Sequence, residues 1–162
     1  MKMLRAMRGP LKYVQGKNAC LEFEKEMGYM GKRFLFVCSN SGYKATHDMI
    51  EQSFEGKGDY YRRYEVFGGI SSNGEINRMK AIVEEDNIDV VVAIGGGSAV
   101  DTAKATAYYA DKRIVILPTV AATDAPCTGL SVIYNDDGSF DKYLFYPQNP
   151  DAVMVDTQFP SW

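Results

Sequence analysis

Histidine is nearly absent from this chain of 162 residues, since His47 is its only one. A zinc or iron site of the usual histidine-rich type therefore cannot be assembled from this sequence alone. Cysteine is also scarce, and Cys20, Cys38 and Cys127 are widely spaced and odd in number. This usage predicts reduced thiols and a cytoplasmic protein rather than a disulfide-stabilised secreted one.

Long apolar runs and excess positive charge are missing as well. No apolar run approaches the roughly 18 residues of a membrane span, so we expect no membrane partner. Met1 to Pro10 carries three basic residues, but no apolar stretch of a signal peptide follows it. The net charge of −3 argues against a nucleic-acid partner. The length and the hydrophobic content of 46% predict a single globular domain.

The most informative stretch begins with the unbroken apolar run Val90 to Ile94. Such a run next to glycines is typical of a strand buried on both faces of a parallel sheet. Three glycines follow it, and then Ser98 and Asp101 open a segment rich in alanine. The spacing of Ser98 and Asp101 predicts a capping box at the start of a helix.

A strand, a glycine turn and a helix N-terminus together favour an anion. The first N–H groups of a helix have no partners within it, and glycines let a phosphate approach the backbone closely. The alternative is a tight turn that needs glycine only for its backbone dihedrals. We favour phosphate binding because Gly95, Gly96 and Gly97 exceed what a plain turn requires. The stretch matches neither the P-loop nor the GxGxxG pattern, so its spacing names no ligand.

Strands and helices alternate along the first two thirds of the chain. The patterns predict a helix opened by a second capping box at Ser72 and Glu75, and a hairpin turn at Asp136 to Gly138. Other predicted strands are 11–15, 34–38, 61–67, 113–117, 130–134, 139–146 and 152–155, and other predicted helices are 19–27 (capped by Asn18), 43–54 and 98–110. This order predicts an α/β, Rossmann-like, doubly wound and mostly parallel sheet with helices on both faces, plus a β-hairpin near residues 130–146. Ligands of such sheets bind beyond the carboxyl ends of the strands, where the strand order reverses.

The segment Pro118 to Tyr134 closely resembles the glycerol dehydrogenase family, which belongs to the iron-type, metal-dependent alcohol dehydrogenases. The resemblance extends over about residues 10–157 in the family's order and spacing, with further matching segments at 12–17, 95–104, 143–151 and 155–157. It implies that residues 1–162 form a single nicotinamide-dinucleotide-binding domain. The helical domain that binds zinc or another divalent metal in this family, through an aspartate and two histidines, has no counterpart here.

The resemblance implies an NAD-dependent glycerol dehydrogenase portion that binds NAD(H) but does not oxidise glycerol to dihydroxyacetone alone. One alternative is a non-enzymatic NADH-binding or sensing module, or the partner of a separately encoded metal domain. Another is a folded remnant that binds nothing. Because the face toward the missing domain would be exposed, we also expect a homo-oligomer or a partner chain.

Roles in the binding site follow from the resemblance residue by residue. Asp124 matches the residue that accepts hydrogen bonds from a glycerol hydroxyl, although an aspartate before Pro126 could instead cap a turn. Tyr134 could equally be a core aromatic residue. The expected cofactor contacts are Gly96, Gly97, Ser98 and Asp101 around the pyrophosphate, Thr119 near the adenine ribose, and Thr128, Leu130 and Tyr134 at the nicotinamide.

Three positions depart from the family pattern. Ser98 stands where a lysine is usual, and Ala122 stands where a serine commonly contacts the cofactor. Asn40 follows the strand ending at Cys38, where the family often has an aspartate that binds the ribose 2′-OH and repels a 2′-phosphate. Asn40 still accepts a hydrogen bond but repels nothing, so the preference for NAD over NADP is expected to be weaker here.

Overall fold

The computed structural model describes residues 8–159, which form a six-stranded parallel sheet, a two-stranded antiparallel hairpin and four α-helices. The strands are β1 Lys12–Gly16, β2 Arg33–Cys38, β3 Tyr61–Val66, β4 Val90–Gly95, β5 Arg113–Pro118, β6 Leu130–Tyr134, β7 Phe140–Phe145 and β8 Ala152–Asp156. The helices are α1 Phe23–Met27, α2 Asn40–Phe54, α3 Asn73–Glu85 and α4 Gly97–Ala110. The predicted α/β architecture and its hairpin are confirmed.

The central strands are apolar throughout because helices cover both faces of the sheet. Along β2, Phe34 and Phe36 pack against α1 and α2, whereas Leu35 and Val37 pack against α3 and α4. All six residues of β4 are buried. The unbroken apolar run in the sequence is therefore the consequence of burial on two sides.

The strands lie in the order β1-β8-β5-β4-β2-β3, and the point at which successive strands are added on opposite sides lies between β2 and β4. The chain passes from β2 outward to β3 and returns to β4 on the other side of β2. Since α2 and α4 cover opposite faces, they separate at this point. The carboxyl ends of β2 and β4 thus border the crevice in which such sheets bind ligands.

The hairpin β6–β7 lies outside the main sheet and packs on α3 and α4. Ile133 is fully buried against Ile76 and Ala105. The ladder shifts register between Ile133 and Tyr134, so Tyr134 pairs with Phe140. The hairpin is therefore a second small layer beside the start of α4.

Two predicted helix starts are wrong. Asn18 has a left-handed backbone and no capping side chain, and the segment begins as a 3-10 helix at Ala19–Glu22 because the Asp156 carboxylate accepts the N–H groups of Asn18 and Cys20. The predicted helix 43–54 begins earlier, at Asn40, since the Ser39 hydroxyl accepts the Gly42 N–H at 3.0 Å and caps α2.

The second capping box is half confirmed. The Ser72 hydroxyl accepts the Glu75 N–H at 3.2 Å, as predicted. The Glu75 carboxylate instead accepts the Gly68 N–H at 2.8 Å.

None of the helices within residues 8–159 is long and apolar enough to cross a bilayer. The signal-peptide interpretation of Met1 to Pro10 falls largely outside the described residues.

The first turn of α3 receives a carboxylate from the hairpin, and we predict that this contact stabilises the domain. The Asp136 Oδ1 atom accepts the Gly74 N–H at 2.7 Å. Replacing Asp136 with alanine should lower the free energy of unfolding by about 1 kcal/mol, because a helix N-terminus loses its acceptor and its favourable charge. Urea denaturation measures this loss. Asp48→Ala, which removes a fully exposed carboxylate, is the control, and equal losses in the two variants would contradict the prediction.

Candidate functional site

The glycine turn lies where β4 passes into α4. Gly96 occupies the N-cap position with an extended backbone, and Gly97 is the first residue of the helix. The predicted capping box is wrong, because Ser98 is already the second helical residue and is exposed. The Asp101 carboxylate instead accepts the Val132 N–H of the hairpin at 3.2 Å. No side chain within residues 8–159 caps the first turn of α4.

The fold requires glycine at one of the three positions but not at the other two. A Cβ atom at Gly95 would lie 2.8 Å from the Ala99 Cβ and 3.0 Å from the Ser39 Oγ. At Gly96 and Gly97 the nearest atom to an added Cβ is 3.6 Å away, and neither residue has a positive φ. Internal packing and backbone dihedrals therefore explain Gly95 and leave Gly96 and Gly97 unexplained.

The first turn of α2 borders the same turn. The Ser39 N–H donates to the Ile94 carbonyl at 2.8 Å. A Cβ at Gly42 would lie 2.9 Å from that carbonyl oxygen, so the helix approaches β4 as closely as a glycine allows. Asn40 is the exposed first residue of α2. Its side chain therefore stands at the rim of the crevice next to the glycine turn.

The loop after β5 lies over the glycine turn. The Thr119 N–H donates to the Gly95 carbonyl at 3.1 Å, which fixes the beginning of the loop. A Cβ added at Gly96 would meet Val120, and one added at Gly97 would meet Thr123. Ala122 is exposed on this loop and its methyl group offers no polar contact.

Asp124 stands at the end of this loop with its carboxylate exposed. It occupies the N-cap position of a 3-10 helix at Ala125–Cys127, but its side chain makes no capping hydrogen bond. The Thr123 hydroxyl accepts the Ala125 N–H at 3.2 Å instead. The alternative role of Asp124 as a structural cap is therefore wrong. Asp124 lines a cleft of about 330 Å³ together with Tyr13, Pro126 and Val155, among others.

Lys104 is a buried residue of this region that the sequence patterns did not single out. It is 3% exposed, and its ammonium donates to the carbonyls of Ala125, Thr128 and Leu130 at 2.8, 3.1 and 2.5 Å. Burial lowers the pKa of Lys104 to about 8, against the opposing charge of Asp101. Burial likewise raises the pKa of Asp101 above its ordinary value. In the sequence, the feature that could have indicated Lys104 is a charged side chain between two alanines of α4.

Leu130 and Tyr134 lie at opposite ends of β6. Both are half-buried, as is Val132 between them, whereas Ser131 and Ile133 are buried against α4 and α3. The Tyr134 N–H donates to the Ser71 carbonyl at 2.9 Å, beside the start of α3. Seven of the predicted site residues lie at one edge of the sheet: Asn40, Gly96, Gly97, Ser98, Thr119, Ala122 and Asp124. Asp101, Thr128 and Leu130 lie beside Lys104. Tyr134 lies next to α3, apart from the other predicted residues.

The described part of the chain does not offer a metal site. Among residues 8–159, no three histidine, cysteine, aspartate or glutamate side chains lie close enough together to bind a metal ion. Cys20 and Cys38 are buried as free thiols, and burial raises the pKa of Cys38 to about 12, so this sulfur stays protonated. The zinc or other divalent ion implied by the resemblance does not fit the side chains present here.

Known proteins are similar to this chain in both sequence and fold. A family model described as iron-containing alcohol dehydrogenase matches residues 10–157. A glycerol dehydrogenase of Thermotoga maritima is 45% identical over 92% of this chain and 40% of its own length. A glycerol dehydrogenase of Escherichia coli is 38% identical over 96% of this chain and 42% of its own length.

A crystal structure of a probable glycerol dehydrogenase from Sinorhizobium meliloti superposes with a TM-score of 0.85 at 36% identity, over 98% of this chain and 42% of that one. The chain therefore spans about two fifths of the length of the relatives it matches. The resemblance inferred from residues 118–134 is confirmed, and the chain belongs to the iron-containing alcohol dehydrogenase family.

Proposed function

We propose that residues 1–162 form the NAD(H)-binding domain of a glycerol dehydrogenase. The observation that carries this proposal is the start of α4. Its first N–H groups lack a capping side chain within the described residues, and Gly96 and Gly97 are glycines that the fold itself does not require. A pyrophosphate bound there explains both features, because it accepts hydrogen bonds from those N–H groups and needs a backbone without side chains.

The roles proposed for the surrounding residues come from the family resemblance, and the exposed positions of Asn40 and Ser98 beside the glycine turn support them. Gly96 and Gly97 would receive the pyrophosphate, with Ser98 beside it, and Thr119 would lie near the adenine ribose. Asn40 would accept a hydrogen bond from a ribose hydroxyl. Bound NAD supplies the hydride chemistry, and the protein supplies placement. The remaining proposed contacts to NAD(H) are those of Asp101, Ala122, Thr128, Leu130 and Tyr134.

Asp124 is proposed to bind the substrate, a glycerol-like polyol. Its carboxylate is exposed in the cleft and does not cap the turn that it precedes. An exposed carboxylate accepts hydrogen bonds from hydroxyl groups. Because no set of metal ligands converges in residues 8–159, we propose that this chain places the cofactor and one substrate contact but does not oxidise glycerol alone.

A second candidate is a non-enzymatic NADH-binding or sensing module, or a subunit that pairs with a separate metal-binding chain. The outer face of the hairpin favours association, since Phe140, Tyr143 and Phe145 are 52%, 58% and 71% exposed. They pair across the ribbon with Tyr134, Val132 and Leu130, so one whole face is apolar. We propose that the β7 side of this face, with Phe140, Tyr143 and Phe145, is covered by a second copy of the chain or by such a partner, and that Leu130 and Tyr134 on β6 keep their proposed contacts to NAD(H).

NADH is predicted to bind the purified chain, and a side chain at Gly97 is predicted to block it. Calorimetric titration should give saturable heat with wild type, and Gly97→Val should weaken binding at least about tenfold by filling the approach to α4. Gly16→Val is the control, because an added Cβ at Gly16 meets nothing within 4 Å. No heat with wild type would identify a folded remnant.

The purified chain is also predicted not to oxidise glycerol by itself. Metal-dependent reduction of NAD with glycerol by this chain would contradict its proposed inactivity.

A carboxylate at position 40 is predicted to sharpen the choice of nucleotide. Asn40→Asp should weaken NADPH binding about tenfold relative to NADH, because it places a negative charge next to the 2′-phosphate. Parallel titrations with the two nucleotides measure the ratio. Asn40→Ala, which removes the acceptor without adding charge, should not increase the preference for NADH. A ratio unaffected by aspartate would show that Asn40 does not face the ribose.

Self-association through the hairpin is predicted at tens of micromolar, roughly the range in which weak interfaces are populated. Light scattering should give at least a dimer for wild type. The double variant Phe140→Ser and Phe145→Ser should shift the population toward monomer, because it removes two exposed aromatic rings from the apolar face. Tyr29→Ser, at a residue that is 66% exposed elsewhere, is the control. A wild-type monomer under these conditions would refute the prediction.

A further inference from the structure

Lys104 uses its whole hydrogen-bonding capacity on one segment of backbone. An ammonium has three donors, and those of Lys104 are directed at the carbonyls of Ala125, Thr128 and Leu130. The nearest carboxylate oxygen, Oδ1 of Asp101, is 3.9 Å away and contributes charge rather than a short bond. The residue therefore links the middle of α4 to the first residue of the 3-10 helix that follows Asp124 and to the segment after that helix.

The loop that carries Asp124 is attached at both ends to the same strand–turn–helix unit. At its start, the Thr119 N–H is bound to Gly95 at the end of β4. At its end, the Ala125 carbonyl is bound to Lys104 in α4. Between these points, residues 120–122 are exposed. The position of the loop relative to the glycine turn is therefore set by these two attachments.

Placing a lysine at a buried structural position lowers the free energy of unfolding unless its charge is compensated. Burial of the charge opposes folding unless hydrogen bonds compensate, and an apolar residue of similar size would often serve stability as well. Removing the ammonium would leave three carbonyls with a lost partner. The ammonium of Lys104 also interacts electrostatically with two residues of the candidate site, Asp101 and Asp124. Geometry and charge together indicate a role beyond packing.

We propose that Lys104 is a positioning residue that holds the segment 125–130, and with it Asp124 and Thr128, at a fixed place relative to the glycine turn. The anchoring of the segment is independent of any ligand. Its consequence for binding rests on the proposed function, because it assumes that NAD(H) occupies the crevice.

Hydrogen–deuterium exchange followed by mass spectrometry tests the anchoring without nucleotide. Lys104→Met keeps the length of the side chain and removes the donors. Amides between residues 123 and 131 should exchange about tenfold faster in this variant, whereas those of β4 should keep their protection. Equal acceleration in β4, or none at 123–131, would overturn the proposal.

Two further variants separate local anchoring from general loosening of α4. Thr106→Val changes a buried polar residue of the same helix whose hydroxyl bonds only to the Thr102 carbonyl, at 2.8 Å, among the described residues. It should leave exchange at 123–131 unchanged, and acceleration as large as in Lys104→Met would refute the anchoring. Lys104→Arg keeps the positive charge and the hydrogen-bond donors but arranges these donors differently. It should give a smaller local acceleration, and it provides the same test if Lys104→Met does not fold.

Calorimetric titration with NADH tests the consequence for the site. Lys104→Met should weaken NADH binding about tenfold, and Thr106→Val should not. Faster exchange at 123–131 with wild-type affinity would overturn the positioning role. If wild type itself gives no heat with NADH, the proposed function fails, while the exchange measurement still decides whether Lys104 holds the segment.

Discussion

The parallel pairing of β2 with β4 is the constraint on which the candidate site depends. Because α2 and α4 continue from these neighbouring strands onto opposite faces of the sheet, their first turns open at the same point of its edge. The bond between Ser39 and Ile94 brings the two turns so close that Gly95 cannot carry a side chain. Ser39 caps α2, whereas no side chain among residues 8–159 caps the start of α4, and the positive end of that helix favours an anion.

Hydrophobic patterns predicted nearly every strand and helix, because burial on two faces leaves a long and local signal in the sequence. The runs 34–38 and 90–94 are apolar, and both are fully buried. Helix starts were harder to predict, since the groups that cap them come from elsewhere in the fold. Ser98 and Asp101 have the spacing of a capping box, yet Asp101 bonds a residue 31 positions further along the chain.

The same limit applies to the site. The resemblance assigned roles to Asp124 and Thr128, but sequence patterns gave no reason for where the loop between β5 and β6 lies. Part of that reason is a set of bonds from Lys104 to acceptors 21, 24 and 26 positions away. Nor could a pattern separate Gly95 from Gly96 and Gly97, because the distinction depends on Ser39 and Ala99 in the folded protein. Local rules thus predict the elements, whereas contacts distant in sequence decide which residues are left for function.

The position of β8 affects how this domain is made in the cell. Within residues 8–159, β1 pairs with β8 and with no other strand, and Asp156 accepts the N–H groups that follow β1. Asn18 and Asp156 are 138 residues apart. At a synthesis rate of about 5–20 residues per second, β1 leaves the ribosome roughly 7–28 s before its partner does. The first strand therefore cannot pair until nearly all of the sequence between residues 16 and 152 has been synthesised.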